Sequence, residues 1–154
     1  MDPRELYQDI ILDHGRHPRN HRALPHPSHF AHGHNPLCGD RVTVFLELDG
    51  ERIKDVSFEG RGCAISTASA SLMTEILKGK TLAEAEALFK QFHATVTGEE
   101  ATSVPAELED DLERLAPLSG VRAYPARVKC ATLAWHAFEA ALKSGAVGTT
   151  VKTE

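Results

Sequence analysis

VTVFLELDGERIKDVSFEG, residues 42–60, alternates apolar and polar side chains on either side of a tight-turn dipeptide. Val42, Val44, Leu46 and Leu48 mark one strand, Asp49-Gly50 is a strong hairpin turn, and Ile53, Val56 and Phe58 supply the returning strand. Directly after RGCAIS, residues 61–66, the apolar period changes from two to that of a helix. Ile65, Ala68, Leu72, Met73, Ile76 and Leu77 share one face until Lys78-Gly79 closes the element. An antiparallel hairpin feeding into an amphipathic helix predicts an α+β fold, a small antiparallel β-sheet with helices packed on one side.

Downstream, Thr81 and Glu84 have the spacing of a capping box for a helix carrying Leu82, Ala85, Leu88, Phe89 and Phe92. Residues 98–120 read as an inserted arm. Within it Pro105 starts a short acidic helix bearing Leu108, Leu112 and Leu115, its acidic face expected to be solvated. A last helix is predicted from Ala126, with Ala131, Ala134, Trp135, Phe138, Ala141 and Leu142 inward, ending at Gly145. Residues 146–154 read as a flexible C-terminal tail. Upstream, Asp2, Pro3 and Glu5 suggest a capped first helix with Leu6, Ile10 and Ile11 on its apolar stripe, stopping near Gly15. Residues 16–36 hold four prolines and six of the nine histidines without any period, and read as a long surface loop. A single domain over 1–145 is expected.

The totals bound the function. A chain of 154 residues can bury a substantial core without disulfides or a structural metal. A net charge of −5 argues against nucleic acid or an anionic membrane as the main partner. No apolar run reaches the roughly 20 residues of a spanning helix, and the charged start MDPRELYQD lacks the apolar stretch of a secretory signal. A cytoplasmic location is expected, where three cysteines make a poor disulfide framework.

Each cysteine sits at a junction. Cys38 lies in the Gly/Pro loop NPLCGD (35–40), Cys63 where strand gives way to helix, and Cys130 in or near the first turn of the last helix. Helix N-termini and the nearby cations Arg61, Arg127 and Lys129 lower thiol pKa, and the thiolate is both nucleophile and metal ligand. If Gly39 lets the chain run extended, Cys38 and Asp40 point the same way and could grip one ion. Three thiolates and a carboxylate suit tetrahedral Zn²⁺, yet the long gaps between the cysteines are unlike a zinc finger's. Spacing alone leaves a second reading open, in which each cysteine is a small buried hydrophobe and Asp40 merely finishes a turn.

Four segments in order bear on that choice: DH…PRN (13–20), NPLCGD (35–40), FEGRGCAISTASASLMTE (58–75) and GVRAYPARVKCATLAW (120–135). Together they resemble the SufU proteins of the U-type iron–sulfur assembly family, related to the scaffold IscU, over about residues 5–143. The 98–120 insertion resembles the extra segment of SufU, and Lys129 stands where IscU has a histidine. Gly15 and His17 depart from the family's usual aromatic and asparagine. The resemblance implies that Cys38, Asp40, Cys63 and Cys130 bind one Zn²⁺ per chain. It implies too that Cys38 accepts persulfide sulfur from a SufS-type cysteine desulfurase and relays it to downstream SUF assembly proteins. Arg127 either supports the site or meets the desulfurase, or is a solvated helix-start cation.

The implied activity is a zinc-dependent sulfurtransferase. The alternative is an IscU-like scaffold building a [2Fe–2S] cluster on the same ligands, since thiolates accept either. A structural zinc domain is a third reading. His29, His32 and His34 could form an auxiliary metal clamp, but a solvated loop is the expected state, and His93 and His136 fall on helices where partial burial or a polar face explains them.

Overall fold

The computed structural model describes residues 3–99, 104–145 and 148–153. The proposed N-cap Asp2, part of the arm (100–103) and tail residues 146, 147 and 154 lie outside them. The order is α1 (Pro3–Arg16), β1 (His29–Asn35), β2 (Asp40–Asp49), β3 (Arg52–Arg61), α2 (Ala64–Leu77), α3 (Leu82–Thr97), a 3₁₀ turn (Ala106–Leu108), α4 (Glu109–Leu115), a 3₁₀ segment (Ala116–Ala123), α5 (Pro125–Ser144) and β4 (Thr149–Lys152).

The hairpin forms as its alternation requires. Val44 pairs with Phe58 and Leu46 with Val56, all facing inward and buried, and Gly50 takes the left-handed conformation at φ 61°. The capping box is present in full, with Glu84 N donating to Thr81 Oγ1 at 3.2 Å and Thr81 N to Glu84 Oε1 at 3.0 Å. Helices α2 and α5 supply the core above the sheet. Trp135 is fully buried, stacks on Phe92 with centroids 5.0 Å apart, and donates its indole N–H to Ser69 Oγ at 3.2 Å. Among the described residues no helix is long and apolar enough to cross a membrane.

Three expectations need correction. The sheet is mixed, in the order β3-β2-β1-β4, because β4 runs parallel to β1 while the other pairs are antiparallel. Residues 29–35, expected in a loop, form a central strand. The histidines mask its alternation, since the inward positions are Ala31, Gly33 and Asn35 while His32 and His34 face the open side. Residues 149–152, expected in a flexible tail, are held by β1, and Thr153 N donates to His34 O at 3.0 Å. The acidic face of the arm is exposed as expected at Glu107, Glu109, Asp110 and Glu113, while Leu108, Leu115, Leu118 and Val121 are buried in the main core and Asp111 pairs with Lys80 at 3.2 Å.

A buried polar knot fastens α1 to α2. Arg19 N donates to Ser71 Oγ at 2.8 Å, so the Ser71 hydroxyl is free to donate to His14 Nδ1 at 2.7 Å. His14 Nε2 then faces Glu75 Oε1 at 3.9 Å, and Glu75 also takes Arg114 at 2.9 Å. Burial holds the His14 pKa below its usual 6.5, Arg19 adds to this, and Glu75 opposes it; burial lowers His136 likewise. A histidine held neutral in the fold stabilises it above the unfolded pKa and loses that contribution as pH falls below it. The melting temperature of metal-free protein is therefore expected to drop between pH 7 and pH 5, and His14→Gln to flatten part of that slope. Thermal unfolding followed by circular dichroism across this range measures both.

Candidate metal and thiol site

The β1–β2 connection crosses the end of the sheet in four residues. Asn35 ends β1 and Asp40 opens β2, and the two face each other in register. Gly39, at φ 72°, lets the turn close, and its N–H donates to Asn35 O at 2.9 Å. This puts Cys38 at the apex, exposed, with Leu37 beside it 71% exposed. Asp40, two residues on, has the parity of Val42 and Val44 and points inward, 2% exposed.

The same end of the sheet receives the other two cysteines. Cys63 is the N-cap of α2, and its sulfur accepts from Ser66 N at 3.5 Å. Cys63 N donates to Asp40 Oδ1 at 3.1 Å, and Cys63 Sγ lies 3.8 Å from Asp40 Oδ2. Cys130 faces Cys38 across 3.6 Å, sulfur to sulfur. One ligand atom each from Cys38, Asp40 and Cys130 falls within 4.8 Å of the others, and among the described residues this is the group of three or more so arranged. Cys63 joins through Asp40 rather than through that trio. The fold thus brings together all four side chains singled out from the sequence.

One edge of the site has the spacing of a tetrahedral ion's shell, while Cys63 lies outside the trio. Sulfurs about 2.3 Å from zinc stand roughly 3.8 Å apart along a tetrahedral edge, close to the 3.6 Å between Cys38 and Cys130. The donor set also calls for a cation. Asp40 is a buried carboxylate, and among the described residues no basic side chain forms an ion pair with it.

Cys130 has the burial expected of a small apolar side chain but not the lowered thiol pKa expected at a helix head. Tyr124 caps α5 and Pro125 occupies its first turn, so Cys130 lies in the second turn and is 3% exposed. Burial pushes its thiol well above the usual range, with hydrogen bonds to Asp40 and Cys38 adding to the effect, opposite to what a helix-head position would do. Arg127, in the first turn of α5, is exposed and, among the described residues, makes no ion pair with Asp40.

Asn35 is the residue that sequence reasoning missed. It is fully buried, donates Nδ2 to Cys38 Sγ at 3.2 Å with Cys130 Sγ 4.0 Å away, and accepts Leu37 N on Oδ1 at 3.2 Å. The available signal was an asparagine directly before Pro36, the usual start of an Asx turn. The three-histidine clamp does not form, because His29 has the opposite strand parity to His32 and His34, whose Nδ1 and neighbours face the open side of the sheet.

Comparison with known proteins places these features in context. Residues 6–146 match the NifU-like N terminal domain family. The chain is 42% identical over 134 residues to the zinc-dependent sulfurtransferase SufU of Bacillus subtilis, covering 87% of each. It is 40% identical to the iron-sulfur cluster assembly scaffold protein IscU of Streptococcus pyogenes, covering 92% of this chain and 85% of that one. Its structure is similar to a crystal structure of a putative SUF-system iron-sulfur cluster assembly scaffold from Fervidobacterium islandicum, with a TM-score of 0.80 at 36% identity, covering 91% and 98% of the two chains.

Proposed function

The chain belongs to the NifU-like N-terminal domain family of iron–sulfur cluster assembly proteins, and on that premise we propose that it is a zinc-dependent sulfurtransferase. Cys38 accepts sulfur from the persulfide of a SufS-type cysteine desulfurase and passes it on toward cluster assembly. The observation that carries this reading is an exposed thiol set over a buried one: Cys38 on the turn, 3.6 Å from Cys130 beneath it.

Cys38, Asp40, Cys63 and Cys130 would hold the ion, which when bound keeps their thiols deprotonated. The chain's own residues divide the remaining work. Cys63 and Cys130 are anchored on α2 and α5, whereas Cys38 sits on a four-residue turn and can move at the least conformational cost. The Asn35 amide stabilises a Cys38 thiolate by charge-assisted hydrogen bonding and steadies the turn through Leu37 N. Once turned outward, the Cys38 thiolate attacks the outer sulfur of the donor persulfide. The donor's sulfur–sulfur bond breaks, its cysteine leaves as thiolate, and the persulfide is now on Cys38 with no net redox change. Asp40, a hard oxygen donor among soft sulfurs, keeps the shell exchangeable.

The scaffold reading retains one specific support, the scaffold names of relatives at similar identity, 40% and 36%. Purified protein separates the two readings. Colourless protein with one zinc per chain that raises desulfurase sulfide output in trans is the expected result; brown protein with visible absorbance and no such stimulation would favour the scaffold. Asp40→Ala is expected to weaken zinc retention by at least about 10-fold, since losing a direct ligand costs no less than losing an outer-shell partner, read by competition with a chromogenic chelator. Unchanged retention would remove Asp40 from the ligand set.

A further inference from the structure

The open face of the sheet carries an unexplained row of basic side chains. In register, Lys152 of β4 lies beside His34 of β1, His34 beside Arg41 of β2, and Arg41 beside Arg61 of β3. Direct partners share a face, and the inward parity of Val42 and Val44 sends Arg41 outward. Each strand therefore contributes one basic side chain to a line crossing the sheet, about 14 Å long at the usual strand spacing. Arg41, Arg61 and Lys152 are exposed and His34 is half-buried. Glu59, opposite Thr43, stands in the adjoining row, and a groove of about 370 Å³ runs between His32, His34, Arg41, Thr43, Glu59 and Thr150.

Two features mark the row as more than solvated charge. Like charges directly opposite each other on a sheet repel, so Arg41 against Arg61 works against the fold, in a protein whose net charge is −5. Among the described residues neither arginine has a carboxylate within ion-pair distance. The row also borders the thiol site on three strands: Arg41 follows Asp40, His34 precedes Asn35, and Arg61 lies two residues before Cys63. The exposed Leu37 projects from the turn at that same end. An apolar knob beside a line of basic side chains is the anatomy of a protein-docking surface.

We propose that the line Lys152–His34–Arg41–Arg61 is a docking surface for an acidic segment of the sulfur-donor protein, steering it so that its persulfide meets Cys38. The proposal rests on the sulfur-transfer reading above. The local like-charge repulsion is relieved when carboxylates of the partner lie across the row.

The test uses full-length, zinc-loaded protein and a SufS-type cysteine desulfurase. Sulfur transfer to Cys38 is followed by mass spectrometry at low and high salt, alongside equilibrium binding of the two proteins. The R41E/R61E double variant is expected to raise the KM for the acceptor at least ~10-fold with kcat changed less than about twofold, and to weaken binding in parallel. The wild-type KM should rise with salt, and R41K/R61K should behave as wild type. R41T/R61T should weaken binding yet melt no lower than wild type, since it removes the repulsion, a result that a structural role for the arginines would not give. Unchanged KM and binding in R41E/R61E, or a fall in kcat alone, would overturn the proposal, as would desulfurase binding that is absent or insensitive to salt in the wild type. Wild-type protein that binds in a salt-dependent, arginine-dependent manner but accepts no sulfur would leave the docking surface standing and refute the sulfur-transfer reading.

Discussion

Cys38→Ser is expected to lower persulfide acceptance by a factor on the order of 10³ or more, as removal of an essential nucleophile does. Serine keeps the size of the side chain and can still accept from Asn35 Nδ2, which lies 3.2 Å from the sulfur. It cannot supply a thiolate, and thiolate attack on sulfur is the step that the proposed activity consists of. Because Cys38 is exposed on a turn, the change costs little folding energy in metal-free protein, so loss of activity with an unaltered melting temperature of the metal-free protein is the specific signature. Cys130→Ser should behave differently. Cys130 is 3% exposed between α5 and the turn, and its replacement disturbs a buried site. Mass spectrometry after mixing with desulfurase and cysteine reads the added sulfur directly; a persulfide still formed on the Cys38→Ser protein would show that another thiol is the acceptor.

Gly60→Ala is expected to cost about 3 kcal/mol or more, a large share of the 5–15 kcal/mol that typically holds a domain together. Gly60 pairs with Val42 in the sheet at φ 148°, a conformation that side chains avoid, and a Cβ there would strike the Arg41 carbonyl and come within 2.8 Å of Val42 Cα. Those are backbone atoms of the neighbouring strand and cannot turn aside. The damage would reach the thiol site, because Arg41 follows Asp40 and Gly60 leads into Cys63. Gly39→Ala provides the contrast. Its φ of 72° is also left-handed, but a Cβ there meets nothing within 4 Å, so only conformational strain of about 1 kcal/mol is expected. Urea unfolding of the two variants compares them; a Gly60→Ala protein as stable as Gly39→Ala would mean that β3 can shift away from β2.

Elements whose signal is local were legible. The hairpin turn at Asp49-Gly50, the Thr81–Glu84 capping box and the stripes of α2 and α5 are each written within a few residues, and the structure realises them. The four candidate ligands were named from motifs, and the fold gathers them at one end of the sheet. β1 and β4 were not legible. β1, HFAHGHN, lacks a strand's composition, and β4, though β-branched, is only four residues long; each owes its conformation to the partner beside it, β1 to β2 and β4 to β1.

What the sequence by itself determined was therefore the hairpin, the helices and the identity of the candidate sulfur and oxygen donors, because periodicity, caps and turn dipeptides act over neighbours in the chain. Only the tertiary structure decided that Cys130 is buried in the second turn of α5, that Asn35 holds the Cys38 turn, and that four basic side chains line up across the open face. Burial, sulfur-to-amide contact and strand register are relations between residues far apart in the chain, and they are fixed by packing and pairing rather than by any local pattern.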